Sequence, residues 1–226
     1  MRASAAGVEV AALIAAAMLA IPVQQEAAPG VRLLVERVQE RYQEAPDMQA
    51  RFVQRQLSRL GSVMQEVHGM LYIATPGRMR WEYAADGQLL VAGGPGREIY
   101  SYFPADNQVE VYETEVSEAS DMPILYLAGQ GNLRRDFDIE AVEWGAPLAP
   151  GNVQLELRPR RGEPSFERLI IEVEPFRATI VRLINFDKLR NVIEYQFHDV
   201  EFDVGLADDL FEFEIPAGAD VILIGG

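Results

Sequence analysis

Gly69-Met70-Leu71-Tyr72-Ile73 leads into Thr75-Pro76-Gly77, and Arg78-Met79-Arg80-Trp81-Glu82-Tyr83 follows. In the last six residues Met79, Trp81 and Tyr83 alternate with Arg78, Arg80 and Glu82. A period of two places the first set on one face of a strand and the second on the other. Proline and glycine between the two runs supply a tight turn. The stretch predicts an antiparallel hairpin with one apolar and one wet face.

The pattern repeats downstream of this hairpin. Val109 and Val111 alternate with Gln108 and Glu110; Val153, Leu155 and Leu157 with Gln154, Glu156 and Arg158; Ile193, Tyr195 and Phe197 with Glu194, Gln196 and His198. Turn chemistry punctuates the runs at Ala85-Asp86-Gly87, Gly93-Gly94-Pro95-Gly96 and Pro104-Ala105-Asp106-Asn107. About eleven strands are expected, near 49–58, 64–74, 78–83, 88–92, 97–103, 108–113, 136–143, 152–158, 166–173, 179–186 and 192–201. Short connections and the absence of a repeat or low-complexity linker predict one meandering, strongly curved antiparallel sheet.

Two segments have another period. Val31, Leu34, Val35, Val38 and Tyr42 share one helical face, with Pro29-Gly30 before them and Pro46 after. Such a helix either packs its stripe on a core or lids a cavity. The segment Asp121 to Gly129 reads as a short helix, with Asp121 or Ser120 as N-cap, Pro123 in the first turn and Gly129 at the C-terminal cap. Ile124, Leu125, Tyr126 and Leu127 make it apolar nearly all round, so it needs cover on more than one side.

Residues 1–28 read as an export signal: Arg2, then an apolar run from Val10 to Val23 that is short for a membrane span, then Gln24-Gln25-Glu26. A retained N-terminal anchor is the alternative. Residues 29–226 are then expected to form a single exported domain. The net charge of −15 argues against nucleic-acid binding, which needs cationic side chains to neutralise phosphates. It also argues against resting on anionic membrane surfaces. The absence of cysteine excludes disulfides, a thiol nucleophile, a cysteine metal site and an N-terminal lipid on this chain.

The hairpin at 69–83 resembles that of the outer-membrane lipoprotein carrier (LolA-type) family, in which a Gly-x-Leu strand runs into Pro-Gly-x-x-Arg-Trp-x-Tyr. Gln88 to Val91, Ile99 to Val109, the apolar Met122 to Leu127, Leu157-Arg158-Pro159-Arg160, Asn185 to Phe197, and Phe211 to Ile222 follow the family in order and spacing. The resemblance covers 30–226 and rests on the whole series. It implies a mainly β fold with lid helices: an incomplete (half) β-barrel around a hydrophobic cavity. It further implies a monomeric periplasmic carrier without cofactor or metal. Such a carrier takes lipoproteins by their acyl chains from an inner-membrane ATP-driven release complex and delivers them to an outer-membrane acceptor. Two positions depart from the family. Thr75 stands where carriers have an arginine that hydrogen-bonds to hold the lid shut, and Arg190 stands where the late hairpin turn has glycine. Asn191 is the residue expected to take the left-handed conformation there.

Each acyl CH₂ gains about 0.8 kcal/mol on burial, so a carrier must offer a comparable apolar surface and then surrender it. The candidate lipid-binding residues are Leu34, Val38, Phe52, Leu71, Met79, Trp81, Leu89, Ile124, Leu125 and Leu127. Catalytic residues are not expected. His68 and His198 lie on separate strands without a nucleophile, there is no Gly-x-Ser-x-Gly elbow, and Gly93 to Gly96 lacks the following Gly-Lys-Ser/Thr. The rival reading is a related module that binds or senses lipids or lipoproteins without shuttling them.

Overall fold

The computed structural model describes residues 29–58, 61–93, 98–112, 131–160 and 166–224. Helix α1 (Pro29–Glu44) is followed by β1 (Asp47–Leu57), β2 (Val63–Ala74), β3 (Arg78–Tyr83), β4 (Leu89–Gly93), β5 (Ile99–Phe103) and β6 (Gln108–Tyr112). A one-turn helix, α2 (Leu133–Asp136), precedes β7 (Phe137–Ala141), β8 (Val153–Pro159), β9 (Phe166–Glu174), β10 (Thr179–Asp187) and β11 (Val192–Phe202). A 3₁₀ turn at Asp208–Phe211 and β12 (Asp220–Ile224) complete the chain.

The twelve strands form one open sheet in the order β12-β6-β5-β4-β3-β2-β1-β11-β10-β9-β8-β7. The eleven expected strands all form, with ends within two residues of the expected positions. Two meanders, β1–β6 and β7–β11, join through antiparallel pairing of β1 with β11.

A twelfth strand, outside the eleven expected, departs from the antiparallel pairing of the rest. β12 pairs in parallel with β6, Val221 opposite Val109 and Leu223 opposite Val111. Its sequence, Asp-Val-Ile-Leu-Ile, has no alternation, so the period-two test passes over it. Parallel pairing requires a long crossover, supplied here by residues 203–219.

Register defines two faces. On the inner face one row runs Met48, Ile73, Met79, Ala92, Ile99 and Tyr112, and the next Ala50, Leu71, Trp81, Leu90 and Ser101. The stripe of α1 covers this face: Leu34, Val35, Val38 and Tyr42 are buried, and Leu33 on the opposite side is exposed. Burying each such side chain is worth about 1.5–3 kcal/mol.

The outer face is also covered. Val91, Val109 and Val111 are buried there together with Phe211 of the crossover. Phe213 packs on Tyr100 and Tyr102, with ring centroids 5.3 and 5.9 Å apart. Arg78 pairs with Asp208 at 2.5 Å, and Arg80 donates to the Leu210 carbonyl at 3.3 Å. The charged half of the β3 alternation thus holds the crossover, and its apolar half builds the core. Across the sheet, the loop between β7 and β8 folds over the buried Glu172. That carboxylate accepts from Leu148 N (2.6 Å) and Asn152 Nδ2 (2.7 Å) and pairs with Arg182 at 3.0 Å.

The crossover is fastened where it begins. The buried Asp47 carboxylate accepts from the backbone N–H of Val204 (2.7 Å), Gly205 (3.0 Å) and Leu206 (2.8 Å). Its carbonyl accepts from Asp203 N at 3.1 Å. Hydrogen bonds to a charged acceptor contribute about 1.5–3 kcal/mol each, less when they share one group. Asp47→Ala is therefore expected to lower unfolding stability by about 3 kcal/mol, read as a drop in the urea midpoint. An unchanged midpoint would show that the apolar contacts of Phe211 hold the crossover alone.

Candidate functional site

An aromatic group lies on the inner face where β1, β3 and β11 meet. The Phe52 ring meets Trp81 edge-on at 4.6 Å and Tyr83 at 5.2 Å, and Trp81 lies 5.5 Å from Tyr195. Tyr195 and Phe197 stack at 6.4 Å with planes 3° apart. Such pairs add about 0.5–1.5 kcal/mol beyond area burial. Gly69 makes the arrangement possible. A Cβ there would stand 2.0 Å from the Glu82 carbonyl and 2.6 Å from the Phe52 ring.

Leu34, Val38, Phe52, Leu71, Met79 and Trp81 come together in this one cluster, each no more than 7% exposed. Leu89 does not join them. It pairs with Glu82 and Tyr102, and so lies on the outer face, where it helps line an open recess of about 510 Å³ with Arg51, Met70 and Glu82. Leu90, opposite Trp81, takes the inner position. Leu89-Leu90-Val91 is a continuous apolar run, so its parity shows only through pairing with Trp81. Ile124, Leu125 and Leu127 lie outside the described residues, as does the apolar run from Val10 to Val23. Tyr195 and Phe197 of β11 were absent from the expected set because only the β1–β11 pairing, Phe52 opposite Phe197, carries them to Trp81.

Helix α1 is held unevenly. Arg37 donates to the Phe176 carbonyl (2.8 Å), the Tyr42 hydroxyl accepts from Ile180 N (3.0 Å), and Gln39 accepts from Leu133 N (2.7 Å). Glu36 pairs with Arg134, and the Arg41 guanidinium lies 4.2 Å above the Phe202 ring. All of these partners belong to α2 or to the β9–β11 side. Toward β2–β6, the hydrogen bonds and ion pairs of residues 31–45 among the described residues reduce to one. Thr75 Oγ1, in the β2–β3 turn, donates to the Ala45 carbonyl just past the helix at 2.9 Å. Thr75 occupies the position where the resemblance leads one to expect the lid-holding arginine. Arg78 and Arg80 do not substitute for that arginine, since both serve the outer face.

Burial raises the phenols of this cluster. The Tyr83 hydroxyl, which donates to Gln54 Oε1 at 3.1 Å, is pushed up to about 12 by burial, with the nearby Asp86 charge adding to it. Burial also pushes Tyr195 and Tyr42 above the usual tyrosine range of 10.0. The neutral form is favoured only in the folded state, so the contribution is fully present below pH 10 and is lost as pH climbs toward the folded value. The urea midpoint is expected to be level up to about pH 10 and to fall above it, less steeply in Tyr83→Phe. A midpoint level through pH 11 would contradict this burial.

The family model for "Outer membrane lipoprotein carrier protein LolA" matches residues 43–214. An outer-membrane lipoprotein carrier protein of Nitrosomonas europaea is 28% identical over 212 residues, 93% of this chain and 95% of that one. Another, from Chromohalobacter salexigens, is 28% identical over 95% of this chain and 97% of its own length. Among solved structures, an uncharacterised conserved protein of Thermus thermophilus shares the fold at TM-score 0.53 and 14% identity, covering 86% of this chain and 99% of that one. The chain is a member of the LolA family of outer-membrane lipoprotein carriers.

Proposed function

We propose that this protein is a periplasmic carrier that holds the acyl chains of lipoproteins between α1 and the inner sheet face. It receives them from an ATP-driven release complex in the inner membrane and passes them to an acceptor in the outer membrane. The observation that carries this reading is the uneven hold on α1. On one side the helix is tied by hydrogen bonds and ion pairs. On the other its buried stripe shares one apolar core with Met79, Trp81 and Ala92.

Separating an apolar contact costs free energy in proportion to the surface exposed. Acyl chains that take the vacated place return about 0.8 kcal/mol per CH₂. The exchange is near balance, which lets a carrier both load and release. Met79 suits the task, since its flexible thioether fills irregular space. Among the described residues no helix is long and apolar enough to cross a membrane, and no group of three or more His, Cys, Asp and Glu side chains could hold a metal ion.

The reading is tested by mixing the protein with inner-membrane vesicles that hold a labelled lipoprotein and the release complex. A soluble one-to-one complex with unmodified cargo should form when ATP is supplied. Binding of an apolar dye without any release of cargo would overturn the shuttle and favour a lipid-binding or sensing module.

Thr75→Val removes the side-chain hydrogen bond from the β2–β3 turn to Ala45, just past α1, while keeping the shape of the residue and the backbone bond from Thr75 N to the Pro46 carbonyl. A hydrogen bond of this kind is worth about 1 kcal/mol, so dye uptake should quicken roughly fivefold with the circular dichroism unchanged. Unaltered uptake would mean that Thr75 only shapes the turn.

A further inference from the structure

Large apolar side chains left in water draw attention when they cluster, and at one end of the sheet three do. Leu57 of β1 pairs with Val192 of β11 on one side and with Val63 of β2 on the other. The start of β2 and the β10–β11 turn therefore lie at the same end of the sheet, with β1 between them. Val63 is 54% exposed, Met64 68% and Leu189, at the tip of the turn, 81%.

The turn is built to hold this tip out. The Asp187 carboxylate accepts from Asn191 N (2.7 Å) and Asn191 Nδ2 (2.6 Å), and Arg190 N donates to the Asp187 carbonyl at 3.0 Å. Lys188 and Arg190 flank Leu189. Lys188 is the only lysine in the chain. Among the described residues neither cation has an ion-pair partner, whereas Arg134, Arg158 and Arg160 are each matched by a carboxylate. Arg190, not Asn191, takes the left-handed conformation, at φ 69°. A Cβ disfavours that region and glycine enters it freely, so the guanidinium is kept at a position that does not suit its backbone.

We propose that this tip is a contact point for anionic phospholipid: Leu189 enters the interfacial region while Lys188 and Arg190 meet headgroup phosphates, and Met64 and Val63 stand exposed at the same end of the sheet. An apolar tip between two free cations is complementary to such a surface and to little else in water. The net charge of −15 sets the form of the contact. Repulsion keeps the rest of the molecule away from the bilayer, so the approach is end-on and short-lived. The proposal does not depend on what the inner face carries.

The chain has no cysteine, so one engineered thiol is a unique label site. Leu189→Cys and, as comparator, Phe176→Cys are labelled in the full chain with an environment-sensitive fluorophore. Phe176 is 87% exposed and sits in the turn at the other end of β10. With vesicles rich in phosphatidylglycerol, the label at 189 should shift to the blue and the label at 176 should not. Phosphatidylcholine vesicles should leave both unchanged. Adding Lys188→Gln and Arg190→Gln should weaken the response at 189 about thirtyfold. No shift at 189 overturns the proposal and leaves the tip to a protein partner. An equal shift at 176, an equal response to neutral vesicles, or indifference to the double substitution overturns it as well.

Discussion

Trp81 and Arg80 are neighbours in sequence and lie on opposite faces of the sheet, and most of the molecule follows from that parity. Trp81 meets Phe52 and Tyr195 within the core under α1. Arg80, one residue earlier, reaches the Leu210 carbonyl of the crossover. A slip of one residue in β3 would send the indole to the crossover and the guanidinium into the core. Gly69 guards the register from the neighbouring strand, because only a residue without a Cβ fits beneath the Phe52 ring.

Both faces are covered, by different means. The outer face is closed by a charged anchor, Asp47 with three backbone donors, and by buried aliphatics under Phe211. The inner face is closed by α1, whose buried stripe shares the apolar core with β2–β5 and whose polar ties run toward β9–β11. Polar ties depend on geometry, whereas apolar contacts are non-directional and can be taken over by any hydrocarbon of suitable volume.

Much of this was legible in the chain. Strict alternation in β3, β6, β8 and β11 revealed the strands, and the 31–42 stripe revealed the helix with its buried face. What escaped depended on partners rather than on local pattern. Leu89 and Leu90 cannot be told apart within an apolar run, and the choice falls to pairing with Trp81. β12 lacks alternation and owes its place to a crossover fastened at Asp47, far away in sequence. The left-handed residue of the late turn is Arg190 rather than Asn191, because Asn191 is already engaged by both oxygens of Asp187.

The joint between the two meanders has a kinetic meaning. Arg51 and Asp199, which tie β1 to β11, are 148 residues apart. Each meander closes through local hairpins, but the seam between them waits until nearly the whole chain is present. Closing so large a loop is entropically costly, and folding dominated by such distant pairings is slow. Until the seam forms, β1 and β11 remain unpaired edges of their meanders.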